Sequence, residues 1–254
     1  MNKMKSLITL ALVCFFVPNI NAQVKKAAVK KTTTTQKTIV KKPVVKKATV
    51  SVVKTLKQVK VPAVRVKVTT DSGIMVIRLY DKTQLHRDNF IKLSNAPCFD
   101  ILLFHRVIRD FRLQGGDPQS KYAQPGQMLG NGDVGYTIPA EFDTSLFHKK
   151  GALAAARTDN PAKASSGCQF YIVQGKKWSD ADLNNIEMQR GVKYSAAQRN
   201  MYKTVGGVPF LDMGYTVFGE VESGLEVIDK IASVPKGMAD RPVGDVHMYI
   251  EVIK

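Results

Sequence analysis

Cysteine and histidine are scarce in this sequence of 254 residues, which contains three cysteines and four histidines. Outside the N-terminal region only Cys98 and Cys168 remain, too few for a disulfide scaffold in a chain of this size. We expect each of the two to be a small buried apolar residue rather than half of a bridge or a nucleophile. The histidines are far apart and lack the spacing of metal ligands: His86, His105, His148 and His247. The sequence therefore predicts no metal site and no cofactor.

A hydrophobic run long enough to span a bilayer is also missing, since a transmembrane helix needs roughly 20 apolar residues. The one extended apolar run covers residues 7–17, follows Lys3 and Lys5, and gives way to a short polar segment. This order is typical of a signal peptide, which we place at residues 1–22 with cleavage near Ala22.

The leader raises one alternative, because Cys14 could accept a lipid anchor. Val13 directly precedes it and apolar residues continue after it, which argues against lipidation. We therefore predict an exported protein without an anchor, located in the periplasm of a Gram-negative bacterium.

Acidic residues are absent from residues 1–67, which hold 16 of the 38 lysines and arginines. Residues 23–62 consist mainly of Lys, Val, Thr and Ala, a composition that predicts an extended tail or linker without a core. Two roles stay open for it: a spacer, or a weak contact of its lysine pairs with an anionic surface. We expect no nucleic acid as a partner, because the protein is predicted to be exported.

The remaining chain is nearly neutral, because residues 68–254 keep 22 of the 38 basic residues beside all 21 acidic ones. We place one folded domain at residues 63–254, which is long enough to bury a sizeable core. Alternating apolar residues on either side of a turn at 71–73 predict a β-hairpin, and helical spacing predicts helices at 83–93 and 225–232. Short apolar runs between Gly, Pro, Asn and Asp favour an antiparallel barrel or sandwich; they cover residues 102–108, 136–138, 152–156, 170–173, 216–218 and 248–253.

The pattern changes at residues 179–208, where the short strands give way to helical signals. Ser179 precedes an acidic first turn, and Ser195 with Gln198 forms the sequence of a capping box. This segment is predicted to be a helical insertion of two short helices between strands.

Four blocks of sequence carry a more specific signal, and they follow one another in a fixed order. The blocks are FHRVIRDFRLQGGD at 104–117, GALAAA at 151–156, GCQFYI at 167–172, and FLD at 210–212 with YTVFG at 215–219. Together they resemble the cyclophilins, the peptidyl-prolyl cis/trans isomerases with a barrel fold, over the chain from about residue 64 to 254. The resemblance implies a mainly β fold: an eight-stranded antiparallel β-barrel capped by two helices, with 179–208 as a loop insertion.

The resemblance also implies which residues form the site. Arg106 takes the position of the catalytic arginine, and Gln114 that of the catalytic glutamine beside it. Arg112 stands where the family usually has a pocket methionine, so Leu113 or the stem of Arg112 would supply apolar surface there. The other implied substrate-binding residues are Phe111, Tyr171 and Leu211 in the proline pocket, Phe210 and Tyr215 at its rim, and Ala156, Arg157 and Gln169 in the groove for the residues before proline.

Elementary chemistry supports an arginine at such a site. Rotation of an X-Pro bond crosses a barrier of about 18–20 kcal/mol, because the nitrogen lone pair is delocalised into the carbonyl. A guanidinium is always charged and presents several donors, so Arg106 could hold that lone pair in the twisted state. His105 is expected to be structural, since side chains alternate across a strand.

The sequence thus predicts an isomerase acting on proline-containing unfolded or folding polypeptides, as a monomer. A second function stays open: a non-catalytic proline-peptide binding module or chaperone. The two differ in whether Arg106 is needed for turnover or only for binding.

Overall fold

The computed structural model of the protein describes residues 63–253. The predicted signal peptide at 1–22 and the predicted tail at 23–62 lie outside the described residues. The eleven strands are β1 Arg65–Thr70, β2 Gly73–Leu79, β3 Leu102–Leu103, β4 Arg106–Ile108, β5 Arg112–Gly115, β6 Thr137–Ile138, β7 Ala152–Ala155, β8 Ser165–Ser166, β9 Phe170–Val173, β10 Val217–Ser223 and β11 His247–Ile253. The four α-helices are α1 Gln84–Asn95, α2 Asp180–Arg190, α3 Ala196–Thr204 and α4 Leu225–Ser233.

One antiparallel sheet of nine strands dominates the fold, in the order β3-β11-β1-β2-β10-β7-β9-β5-β4. Its two end strands, β3 and β4, are consecutive in the chain and separated only by Phe104 and His105. The sheet therefore curls until its two edges lie next to each other, as expected for a barrel-like fold. The strands β6 and β8 form a separate two-stranded ribbon.

The core lies on the inner face of this curled sheet. Residues at every second position of β1 and β2 are fully buried there, such as Val66, Val68 and Ile77. Phe90 of α1 and Ile228 of α4 belong to the same buried cluster, so these helices cover the core that the sheet encloses. The prediction of a mainly β domain capped by two helices is confirmed.

The predicted and observed strands differ, because β5 and β8 lie outside the predicted runs and one predicted run is divided. The run 102–108 was expected to be continuous, but β3 pairs with β11 while β4 pairs with β5. The chain passes from one edge of the sheet to the other between the two, where the Phe104 amide donates to Val246 O (2.9 Å). This division gives the sheet nine strands where the resemblance implied eight.

Two helices lie within residues 179–208, as predicted, and both begin where the sequence indicated. Ser179 accepts a hydrogen bond from the Asp182 amide and Ser195 accepts one from the Gln198 amide, both within capping boxes. These boxes satisfy amides that have no partner within the helix, which stabilises short helices in a polar segment.

The two cysteines of the described residues are both free. Cys168 is buried, as predicted, but the prediction for Cys98 is wrong, because its side chain is exposed. Cys98 lies in the turn after α1, where its backbone amide donates a hydrogen bond to Leu93 O. In this turn its thiol points towards solvent. Within residues 63–253 no helix is both long and apolar enough to cross a membrane.

Candidate active site

Strand register places the two predicted catalytic residues side by side. Arg106 of β4 pairs with Gln114 of β5, and Gln114 pairs in turn with Tyr171 of β9. Directly paired residues project to the same face of a sheet, so these three side chains form a row on its outer face. The neighbouring row consists of Val107, Leu113 and Ile172 and faces the core.

This alternation corrects one prediction, the assignment of Leu113 to the substrate pocket. Leu113 is fully buried in the inner core and lies on the opposite face from Gln114. Because the side-chain period of a strand is two, a residue next to Gln114 cannot share its face. The apolar surface of the site must therefore come from other residues.

Arg106 is accessible and anchored by one acidic residue. Its Nε donates to Asp240 Oδ2 at 3.3 Å, and 42% of its side chain remains exposed, so other guanidinium donors are available to a ligand. Beside it lies a cavity of about 570 Å³ between the segments 125–131 and 237–245, with Gln114 also in its wall. The Arg241 guanidinium links the two segments by donating to Gln124 O and Gln127 O while pairing with Asp245.

Gln114 is held by a chain of amide hydrogen bonds. Its Nε2 donates to Gln169 Oε1 (3.0 Å), and Gln169 Nε2 donates to Gly130 O (3.0 Å) and Gly132 O (2.7 Å). Gln114 Oε1 is buried and has no partner among the described residues. The chain fixes the Gln114 amide next to Arg106 and leaves an acceptor oxygen for a ligand or for the arginine.

The residues predicted to form the proline pocket are brought together on the same outer face. Phe111, Leu211 and Tyr215 are half-buried and pack against a cluster that contains the fully buried Tyr171. Phe111 stacks on the more exposed Phe210 with ring centroids 5.8 Å apart, and Tyr215 meets Tyr171 edge-on at 5.9 Å. These contacts make an apolar aromatic patch beside the Arg106–Gln114 pair.

The residues predicted to bind the segment before proline lie where β7 ends and β9 begins. Ala156 is buried and its amide donates to Gln169 O (2.9 Å), which joins it to the amide chain of Gln114. Arg157 donates to Gly214 O (3.0 Å), and its guanidinium carbon lies 4.7 Å from the centroid of the Tyr215 ring. The structure thus assembles all predicted site residues except Leu113 along one surface.

A buried polar chain beneath the pocket was not predicted. The Tyr171 hydroxyl bonds to His148 Nε2 (2.9 Å), and His148 Nδ1 lies 2.7 Å from Asp212 Oδ1. Burial raises the pKa of Tyr171 well above its usual range, so the phenol stays protonated. Its O–H donates a hydrogen bond to His148 Nε2. His148 then donates from Nδ1 to the carboxylate, which also accepts from the Tyr202 hydroxyl.

This chain explains how the hydroxyl of a fully buried tyrosine is accommodated beneath the pocket. A buried hydroxyl without a partner is unfavourable, and His148 supplies that partner. No periodic pattern indicates the pairing, since His148 and Tyr171 belong to segments that meet only through the fold. Asp212 lay within a predicted block but had no predicted partner.

Comparisons with known proteins show the family to which this chain belongs. The family model described as cyclophilin type peptidyl-prolyl cis-trans isomerase/CLD matches residues 65–252. The chain belongs to the cyclophilin family. One relative comes from Staphylococcus haemolyticus (strain JCSC1435) and is named as a peptidyl-prolyl cis-trans isomerase. It is 32% identical over 75% of this chain and 91% of its own length. A Streptococcus pyogenes relative, named as a bifunctional phosphatase/isomerase, is 34% identical over 75% of this chain and 38% of its own length.

Solved structures show the same fold. The Cryptosporidium parvum cyclophilin type isomerase superimposes with a TM-score of 0.58 at 19% identity, covering 76% of this chain and 99% of that one. A second structure of that protein, in the presence of the dipeptide Ala-Pro, gives a TM-score of 0.54. The cyclophilin fold implied by the sequence blocks is therefore confirmed.

In this cyclophilin domain the helical insertion and Trp178, the residue directly before it, contact the rim of the pocket. Trp178 donates from Nε1 to Gly207 O (2.8 Å) and meets Phe210 with ring centroids 6.0 Å apart. The Tyr194 hydroxyl donates to Pro209 O (2.8 Å). The insertion therefore supports the turn Pro209–Leu211, which carries two of the pocket residues.

Proposed function

We propose that this cyclophilin-type peptidyl-prolyl cis/trans isomerase accelerates X-Pro rotation through Arg106, with the aromatic patch holding the proline ring. The observation that supports this most is the shared outer face: Arg106 and Gln114 lie in one row with Tyr171, next to Phe111, Leu211 and Tyr215.

The proposed chemistry needs no bond to be made or broken. In the twisted amide the proline nitrogen regains a lone pair, which a guanidinium N–H of Arg106 can hold by a charge-assisted hydrogen bond. Neither planar isomer offers that lone pair, so the interaction stabilises the transition state more than the ground states. The Gln114 amide, fixed by Gln169, is placed to orient the arginine or the peptide backbone.

The substrates are proposed to be proline-containing unfolded or folding polypeptides. The solved structure in the presence of Ala-Pro supports a peptide ligand for a related protein. An extended segment fits the long surface from Arg106 to Arg157 better than a compact ligand would, because the predicted site residues run from β4 across β5 and β9 to the end of β7.

The function is tested by exchange NMR on a short Ala-Pro peptide, which measures isomerisation without a coupled protease. Turnover by the protein that is lost in Arg106→Ala, with peptide binding retained, supports the catalytic role. Binding by both proteins with no turnover by either would favour the alternative of a non-catalytic binding module.

We further propose that the protein is exported to the periplasm, with residues 1–22 as a cleaved signal peptide. The support is the order of Lys3, Lys5 and the apolar run in the sequence. Expression of the full chain in a Gram-negative host, followed by fractionation and N-terminal sequencing, tests this. Retention of Met1 in a cytoplasmic fraction would contradict it.

A further inference from the structure

Arg112 is the site residue that departs most from the family pattern, because the usual residue at its position is an apolar methionine. It pairs in register with Ile108 of β4 and Val173 of β9, and so projects to the same outer face as Arg106 and Gln114. Its guanidinium carbon lies 4.8 Å from the centroid of the Phe111 ring and 4.9 Å from that of Tyr171. A cation is therefore in contact with two aromatic rings of the proline pocket.

The charge of Arg112 has no acidic partner within residues 63–253. The two other arginines of the site each have one, Asp240 for Arg106 and Asp159 for Arg157. Arg112 Nε is buried and makes no hydrogen bond to the described residues. Burial is the main cause that lowers the pKa of the Arg112 guanidinium; the Tyr171 and Tyr215 hydroxyls oppose the shift, and repulsion from Arg106 adds to it.

Such an arrangement is unfavourable in the free protein. A buried donor without a partner costs free energy, and stacking on aromatic rings offsets only part of the cost of desolvating a cation. A bound carboxylate offsets this cost, because it could accept hydrogen bonds from the open donors of Arg112. The site is partly dehydrated, so the electrostatic attraction there is stronger than in water. Arg106 and Arg157, the other two arginines of the site, carry the same charge and add to the attraction for an anion.

We propose that Arg112 is a specificity-determining residue that binds a substrate carboxylate, so that the preferred substrates carry glutamate or aspartate next to the proline. This proposal rests on the proposed function and names its substrate class. The aromatic patch holds the proline ring, and the Arg112 guanidinium beside it binds the side-chain carboxylate of the substrate residue next to the proline.

The test uses two matched pairs of peptides that differ only in charge: Glu-Pro-Ala with Gln-Pro-Ala, and Ala-Pro-Glu with Ala-Pro-Gln. Exchange NMR with the full chain gives kcat/KM for each peptide at low salt. We expect at least one glutamate peptide to exceed its glutamine partner by about tenfold, the effect of one hydrogen bond to a charged group. High salt should reduce that ratio, because the donors of Arg112 remain partly open to solvent.

Three variants separate Arg112 from general positive charge. Arg112→Met restores the residue type usual in the family and should bring the ratio to about one, whereas Arg112→Lys keeps the charge and should retain part of it. Arg109→Met removes the same charge from an exposed neighbour and should leave the ratio unchanged. Should Arg112→Met fail to fold, the ratio in Arg112→Lys and its salt dependence in the unmodified protein decide the question.

Two results would overturn the proposal: a ratio near one for both peptide pairs in the unmodified protein, or a preference that survives Arg112→Met. Failure of the proposed function can be distinguished from failure of this proposal, because without isomerase activity no peptide would be turned over. In that case the affinities of the same four peptides, measured by calorimetry, still test Arg112, since a binding module would show the same preference for glutamate.

Discussion

His105 gives this protein a predicted weakness to acid that can be worked out from its surroundings. Its ring is only 3% exposed, and both ring nitrogens are buried without a hydrogen-bond partner among the described residues. Burial is the main cause that lowers its pKa from 6.5 to about 4; nearby Asp117 and the Leu103 backbone oppose the shift, and the positive charges of Arg106 and Arg241 add to it.

The sign of the effect follows from the two pKa values. The folded-state pKa lies below the unfolded one, so between about pH 6.5 and pH 4 the unfolded chain binds more protons. Above about pH 6.5 the ring is neutral in both states, so His105 does not lower the free energy of unfolding there. As the pH falls towards 4, the free energy of unfolding decreases. With about 1.4 kcal/mol for each pKa unit, the loss reaches about 3 kcal/mol near the lower end.

The assay compares urea unfolding of the full chain with that of His105→Gln across this pH range. Acidic residues and the other histidines titrate in both proteins, so the difference between them isolates His105. We expect the stability of the unmodified protein to fall by about 3 kcal/mol more than that of the variant. An NMR titration of the His105 ring provides a second reading that does not depend on the variant. Parallel pH profiles, or a ring that titrates near its ordinary pKa, would refute the reasoning.

Two further predictions concern the supports of the pocket. Asp212→Asn weakens the acceptor of the hydrogen bonds from His148 and Tyr202. Urea unfolding should show that the free energy of unfolding falls by about 3 kcal/mol, as for a buried charge-assisted network. A fall below about 0.5 kcal/mol would mean that the network adds little to stability. Ser179→Ala removes the cap of α2 and should cost about 1 kcal/mol, whereas Ser233→Ala at the exposed end of α4 removes no N-terminal cap and serves as the matched control. Equal effects of the two serine variants would contradict the capping account.

The sequence predicted the elements that depend on local patterns. Alternation predicted the first hairpin, helical spacing predicted α1 and α4, and the serine caps predicted the start of both insertion helices. These features are set by residues close together in the chain, so a single sequence carries the information.

The misses depend on contacts between distant segments. The run 102–108 is apolar except for His105 and Arg106, and pairing with different neighbours divides it into β3 and β4. Leu113 has the right residue type for a pocket, but strand register turns it into the core. The link from Tyr171 through His148 to Asp212 joins three separate parts of the chain, and local spacing contains no signal for it.

The central claim, that Arg106 carries the isomerisation, is tested most directly by exchange NMR on an Ala-Pro peptide with the full chain, Arg106→Ala and Arg109→Ala. Arg109 is exposed and only three positions away, so its variant controls for the loss of positive charge. The account predicts a fall in kcat of about a hundredfold or more for Arg106→Ala, with near-normal turnover for Arg109→Ala and unchanged circular dichroism for both. Turnover by Arg106→Ala equal to that of the unmodified protein would contradict it.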